Sequence, residues 1–298
     1  MEVRERVYRA DLDWAAYGFG EFSLGVSDVT FDQSGKMWTI DRGGRAWADR
    51  DVERRIDTDV VRCWSPDGQV ERSFGAGLFM MPHSVTVCDD GVLVTDVGLH
   101  QVLKLNFDGE IEWTLGRAGS ATDELDGFSL PTDLVFCEDG GFFVSDGYGN
   151  ARVLKFDRNR QLALHWGQKG DGAGEFRLPH SLDMLNSSTV VVADRENSRI
   201  QFFDLFGVHL RTIQSSTLGK PYAVSIRDRR IYMADNGFPQ EKRVGVSIFD
   251  LDSEREYRFG ALGKGAGEML GPHGLAVDHD HNVYVADVVR GLLKFTPT

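Results

Sequence analysis

The sequence predicts an all-β chain folded as a six-bladed β-propeller, each blade a sheet of four antiparallel strands. Three observations predict it. Six segments end in a short, largely β-branched run closed by aspartate: WTID at Asp41, LVTD at Asp96, FVSD at Asp146, VVAD at Asp194, YMAD at Asp235 and YVAD at Asp287. Each is preceded, at an offset of 13 or 14 residues, by a second landmark at Asp28, His83, Thr132, His180, Tyr222 or His273. The landmarks recur every 42–55 residues, a length that accommodates the four short strands of one propeller blade.

Each unit then reads in the same order. The first strand begins at the landmark, as in SVTVC, and is followed by a turn such as CDDG, CEDG, DQSG or DHDHN. The second strand is the run that ends on the aspartate. A loop leads to a third strand (QVLKLN, ARVLKFD, SRIQFFD, LLKFT) and then to a fourth stretch carrying Trp or Phe and Gly (EWTLGR, LHWGQKG, YRFGALG). These are the residue types that fit a pleated, half-buried surface. No 3.6-residue periodicity is sustained over ten residues, so no long helix is expected. The six units use up the chain, which predicts a single propeller domain over residues 1–298. The N-terminal VYRADL is expected to supply the outer strand of the last blade and so remove a free sheet edge.

Charge and composition bound the partners. The formal net charge is -13, from 33 basic and 46 acidic residues, which disfavours a nucleic-acid partner because a phosphate backbone needs a basic footprint. No run reaches the ~18 consecutive apolar residues of a membrane span, so no membrane partner is expected. Cys63, Cys88 and Cys137 are odd in number and form no C-x-x-C pair. With the charged start MEVRERVYRADLDW, they predict a reducing, cytoplasmic setting.

The repeat also points to a site. Histidine fills the landmark only in the second, fourth and sixth units, as His83, His180 and His273, 97 and 93 residues apart. Alternate blades of a six-fold ring are related by about 120°, so these three side chains should converge near the axis. Three imidazoles with a position left open is the donor set of a catalytic metal site; zinc suits it best, and iron or manganese fit the same donors. A purely structural turn histidine would be expected in every blade or at random. His165 and His209 fall in strand patterns, and His100 and Asn150 share a loop position that suits hydrogen bonding between blades. Asp278, Asp280 and Asn282 imitate the start of a calcium loop, but Val283 and Val289 stand where that loop needs glycine and glutamate.

Further candidates follow the blade aspartates. Tyr148 comes two residues after Asp146, and Arg42 and Arg195 come one residue after Asp41 and Asp194. Beside a dication and an arginine, a phenol could fall below its usual ~10 and serve as a base; spacing alone equally allows a tyrosine packed on the propeller surface. An arginine fork there would hold a substrate carboxylate. Arg152 and Arg199 are equivalent to each other, and the blade aspartates recur in every unit, so both sets are expected to be structural.

PHSVTV with VTDVGLHQVLKL, PTDLVF with VSDGYGNARVLKF, and LPHSL with VADRENSRIQFF resemble the peptidyl-α-hydroxyglycine α-amidating lyase propeller, which belongs with the NHL-repeat proteins. The resemblance runs over residues 27–298. It implies cleavage of the C–N bond of an N-acyl-α-hydroxyglycine to a primary amide and glyoxylate. It places zinc on His83, His180 and His273, substrate binding on Arg42, the catalytic tyrosine at Tyr148 and a further active-site arginine at Arg195. Two departures stand out. Gly274 replaces an acidic residue that serves a structural calcium in the family, so calcium is not expected. Gly271 replaces a methionine, and with Gly274 it is expected to open or neutralise the wall beside His273. The family's disulfides have no counterpart, which implies a small compound and not a peptide hormone, and the substrate-binding arginine at Arg42 implies a carboxylate on it. Two alternatives remain at this stage: a metal-dependent hydrolase of an amide, lactone or related ring using the same histidines, and an NHL propeller that only binds partners.

Overall fold

The computed structural model describes residues 8–11, 25–50, 53–66, 68–215, 218–237 and 244–298. They form six four-stranded antiparallel sheets. Blade 1 comprises Val26–Phe31, Met37–Asp41, Val61–Trp64 and Val70–Phe74. Blade 2 comprises Pro82–Cys88, Gly91–Asp96, Gln101–Asn106 and Ile111–Gly116. Blade 3 comprises Asp133–Phe136, Phe142–Asp146, Arg152–Phe156 and Leu162–Trp166. Blade 4 comprises Pro179–Asn186, Thr189–Asp194, Arg199–Asp204 and His209–Ile213. Blade 5 comprises Pro221–Arg227, Arg230–Asn236, Val244–Asp250 and Arg255–Phe259. Blade 6 comprises Pro272–Val277, Val283–Asp287 and Gly291–Pro297, and its outer strand is the N-terminal Tyr8–Ala10. The six innermost strands adjoin one another around a closed ring. The predicted architecture and its N-terminal closure are therefore both present, with Tyr8 opposite Pro297 and Ala10 opposite Phe295.

Burial explains why the strands read as they do. The second strands lie between neighbouring blades, and in blades 1, 2 and 3 every residue of that strand is buried. Their near-continuous apolar runs follow from having two covered faces. One interface packs Trp38 and Ile40 of blade 1 with Phe79, Val94 and Leu103 of blade 2 and the segment before it. The outer strands have one wet face; Val70–Phe74 exposes four residues and buries only Phe74. No helix among the described residues is long and apolar enough to cross a membrane.

The blade aspartates are structural, as expected. Asp96 accepts from the N–H groups of Met80, Met81 and Leu99, and Asp287 from those of Leu270, Gly271, Val289 and Arg290. Each fixes the loop that leads into its blade to the loop that leaves the second strand. Arg152 and Arg199 pair with Asp146 and Asp194 at 3.0 and 2.8 Å and donate onward to loop carbonyls. His100 Nδ1 accepts the Leu130 N–H across a blade boundary. Asp278 closes a turn on the N–H groups of Asp280 and Asn282.

The closing strand yields a stability prediction. The Tyr8 ring stacks on Phe259 at 4.6 Å and 13°, joining the N-terminus to blade 5. Tyr8→Ala is expected to cost about 2 kcal/mol, less than removal of a fully buried aromatic because Tyr8 is only half-buried. Thermal unfolding should shift down by about 3 °C. An unchanged transition would mean that the closing strand does not hold the ring together.

Candidate metal centre

The landmark residues owe their orientation to a repeated irregularity. In blade 2, Pro82 pairs with Asp96 and Ser84 with Thr95, leaving His83 as an extra residue between two ladder rungs. The same register shift isolates His180, Tyr222 and His273. A bulge of this kind re-aims one side chain without ending the strand. In blade 1 the shift falls between Val26 and Asp28, so the equivalent residue is Ser27 and not Asp28. The ring of equivalent positions is therefore Ser27, His83, Thr132, His180, Tyr222 and His273.

The histidines converge. Their ring centroids form a nearly equilateral triangle with sides of 4.6, 4.8 and 5.0 Å, and one ring nitrogen from each lies within 4.8 Å of the others. Each Nδ1 lies against the backbone carbonyl of the ring residue in the next blade: His83 to Thr132 at 2.6 Å, His180 to Tyr222 at 2.6 Å and His273 to Ser27 at 2.8 Å. A carbonyl can only accept, so Nδ1 carries the proton and Nε2 presents its lone pair. The alternation has a geometric cause: every second blade supplies an imidazole, and the blade after it supplies the carbonyl that fixes the tautomer. Burial, with neighbouring positive charge from Arg42 or repulsion among the rings, holds all three pKa values well below the usual imidazole value. Three neutral, oriented, desolvated Nε2 donors fit a borderline divalent cation.

The remaining predicted residues are brought to the same place. Tyr148 Oη lies 3.1 Å from His83 Nε2 and 2.8 Å from His180 Nε2. Arg42 Nη2 lies 3.1 Å from His273 Nε2. Arg42 is 5 % exposed, and its Nε is buried without a hydrogen-bond partner. An unpaired guanidinium N–H at such a position is costly and calls for an acceptor. Arg195 is held differently. Its Nε and Nη2 meet Glu196 Oε1 at 3.0 and 2.9 Å, its guanidinium covers the Tyr222 ring at 4.5 Å, and Nη1 reaches Tyr148 Oη at 3.4 Å. Glu196 is also bound by Lys220. Arg195 thus has its fork engaged, and Arg42 is the arginine with donor capacity to spare.

Two features depart from the sequence reading, at Gly271 and Gly274, and the Tyr148 phenol starts from a raised value before any ion is bound. Burial raises the Tyr148 phenol above its ordinary value, against the opposing pull of Arg195 and Arg42, so the protein alone does not depress it. Gly271 does not open a hole: a Cβ there would meet Val288 Cγ2 at 3.0 Å and Val289 Cγ2 at 3.3 Å. Gly274 is filled from the next blade, because a Cβ there would lie 2.5 Å from Asp28 Oδ1. Asp28 and Asp133 stand one residue beyond the ring, where they accept the Val85 and Leu182 N–H groups of neighbouring blades. Burial, joined by the other carboxylate, pushes the Asp28 carboxyl well above its usual range, and burial pushes Asp133 to about 6.

Sequence reasoning singled out neither Trp47 nor Glu196. Trp47 lies in the connection between the second and third strands of blade 1, yet its ring packs, tilted, against Tyr148 of blade 3 at 4.4 Å and 36°. The length of that connection, 42–60, was the available signal.

No family model matches the chain. It is similar to peptidyl-glycine alpha-amidating monooxygenase B of Xenopus laevis, 31% identical over 312 residues, which span 97% of this chain and 35% of the frog protein. It is similar also to a probable peptidyl-alpha-hydroxyglycine alpha-amidating lyase of Caenorhabditis elegans, 29% identical over 286 residues, 88% of this chain and 79% of the worm protein. Among solved structures, a gluconolactonase from Xanthomonas campestris superposes with a TM-score of 0.65 over 93% of this chain and 87% of its own, at 15% identity, a likeness of fold alone.

Proposed function

We infer, for a chain that belongs with the peptidyl-α-hydroxyglycine α-amidating lyase-like propellers of the NHL type, a metal-dependent lyase acting on a small N-acyl-α-hydroxy acid. The observation that carries this reading is a buried Arg42, its Nε unpartnered and its Nη2 at His273 Nε2, with the Tyr148 hydroxyl at the Nε2 atoms of His83 and His180. Those groups match the three parts of one substrate: a carboxylate, a hydroxyl on the next carbon and the nitrogen that leaves it.

His83, His180 and His273 would hold the ion, with zinc suited to three neutral imidazoles and iron or manganese fitting the same donors. A bound dication would acidify the hydroxyl and the nearby phenol and balance charge on the substrate oxygen. The chain's own groups do the rest. Arg42 takes the carboxylate and fixes the carbon between Tyr148 and the histidines. Tyr148, as phenolate, removes the hydroxyl proton. The oxygen's electron pair forms the aldehyde C=O, the C–N bond breaks, and the pair leaving with nitrogen takes the proton back from Tyr148. The products are a primary amide and an aldehyde acid such as glyoxylate, with no net gain or loss of protons. Arg195, clamped by Glu196, stabilises the phenolate while the proton is in transit.

Calcium plays no part in this reading. A reducing, cytoplasmic setting belongs to it, supported by the unpaired thiols of Cys63, Cys88 and Cys137. A hydrolase would need a free carboxylate or similar base to aim water at a carbonyl, and Glu196 is engaged by Arg195 and Lys220. The fold does not choose between the two chemistries, since a gluconolactonase shares it. Incubation with N-benzoyl-α-hydroxyglycine, simple benzamides and small lactones tests the proposal. Benzamide and glyoxylate should appear from the first substrate, with no turnover of the others. Turnover confined to the amides or lactones, giving carboxylic acids, would replace this reading with hydrolysis.

A further inference from the structure

The connection that carries Trp47 differs from its counterparts. In blades 2, 3, 4 and 6 the second and third strands are joined by the short segments 97–100, 147–151, 195–198 and 288–290, whereas blade 1 uses residues 42–60. This longer segment is bolted to the neighbouring blade at its described residues. Arg45 Nη1 donates to the Met80 carbonyl at 2.6 Å, and Ile56 N–H donates to Phe79 O at 2.7 Å while Ile56 O accepts from Gly77 N–H at 2.7 Å. Ile56 itself is buried with Phe79 in the core between blades 1 and 2. A short 3-10 turn, Trp47–Asp49, then projects Trp47 across the axial face.

There the indole meets Tyr148 from two blades away and lies within 5.8 Å of the Arg42 guanidinium and 5.4 Å of that of Arg50. Trp47 thus touches both groups assigned to the substrate's carboxylate and hydroxyl. The wall continues through Tyr148 to Arg195 and Tyr222, whose ring adjoins His180 at 5.0 Å and His273 at 5.7 Å. On the His273 side, Val288 and Val289 occupy the space beside Gly271.

We propose that Trp47 is the specificity-determining residue of this site, a fixed roof that admits N-acyl-α-hydroxy acids with a compact acyl group and rejects peptidyl ones. This rests on the lyase reading for the reacting end of the substrate, and adds a limit on the other end. The indole is held by its contacts with Tyr148 and with the Arg42 and Arg50 guanidinium groups, on a connection anchored at Arg45 and Ile56 to the segment that leads into blade 2. An acyl chain of several residues would have to pass through the space it fills.

The test uses the zinc-loaded protein and two readouts. Turnover is compared for N-acetyl-α-hydroxyglycine and a tripeptide ending in α-hydroxyglycine. Calorimetric binding is compared for the unreactive N-acetylglycine and the matching glycine-ending tripeptide. Wild type should favour the acetyl compounds by about 30-fold or more in both, within the range that steric exclusion of this kind reaches. Trp47→Ala should reduce that ratio by about 10-fold and Trp47→Phe by less than about 3-fold, whatever either does to the absolute rate through Tyr148. Equal treatment of acetyl and tripeptide compounds by wild type, a binding ratio unmoved by Trp47→Ala, or failure of every N-acylglycine to bind would overturn the roof. A Trp47-dependent binding ratio without C–N cleavage would leave the roof standing and remove the lyase reading.

Discussion

Purified His180→Ala protein should carry only a small fraction of the roughly one divalent ion per chain expected of the wild type, and its cleavage activity should fall with it. His180 is one of three donors whose Nε2 atoms face a common point, and its Nδ1 is anchored by the Tyr222 carbonyl. Two imidazoles cannot replace a three-point site; disturbing even a supporting hydrogen bond commonly costs about 10–100-fold in metal affinity. His83→Ala and His273→Ala should behave alike, because the triangle is nearly symmetric. A structural role for the histidines makes a different prediction: all three variants would lose stability, and wild type would hold no ion after metal-replete expression. Elemental analysis separates the two. Chelation gives an independent check, since removing an ion bound only by the folded state should lower the unfolding temperature of wild type and leave that of His180→Ala unchanged.

Tyr148→Phe should lower kcat by about 10²-fold or more with the metal retained, the size expected for loss of a general base. The substitution removes one oxygen and leaves the ring against Trp47 and beneath Arg195, so packing changes do not account for the loss. The phenol is raised by burial in the protein alone, and the proposed work as a base would depend on a bound dication to reverse that shift. Arg42→Ala should act mainly on KM, raising it by about 10-fold or more for loss of a charge-assisted contact to a carboxylate. An N-acyl-aminoalcohol lacking the carboxylate should be insensitive to Arg42→Ala. Near-wild-type kinetics in both variants would take these residues out of the mechanism.

Much of this was legible in the sequence because a propeller writes its geometry as a repeat. The landmark and the aspartate mark the two ends of one hairpin, so blade count, strand order and the convergence of His83, His180 and His273 all follow from spacing. The same repeat misplaced the first landmark. Asp28 aligns with the histidines at an offset of 13 residues, but other blades use 14, and only the bulge shows that Ser27 is the ring residue. That slip hid the role of the odd blades, whose carbonyls at Ser27, Thr132 and Tyr222 orient the imidazoles. Backbone groups leave no mark in residue identity. Gly271 and Gly274 read as missing side chains, yet Val288, Val289 and Asp28 fill those places from other loops and blades. Trp47 was unreadable for a related reason: it lies in a segment with no repeat counterpart, and its partner Tyr148 is two blades away.

Cleavage of N-benzoyl-α-hydroxyglycine in oxygen-18 water, with the benzoyl product examined by mass spectrometry, tests the central claim most directly. C–N cleavage driven by proton transfer through Tyr148 adds no solvent oxygen to the benzoyl group. The product should be benzamide at its natural mass, formed in step with glyoxylate and absent from Tyr148→Phe reactions on the same time scale. Benzoic acid carrying one heavy oxygen would mean that water attacks the carbonyl, and would contradict the account.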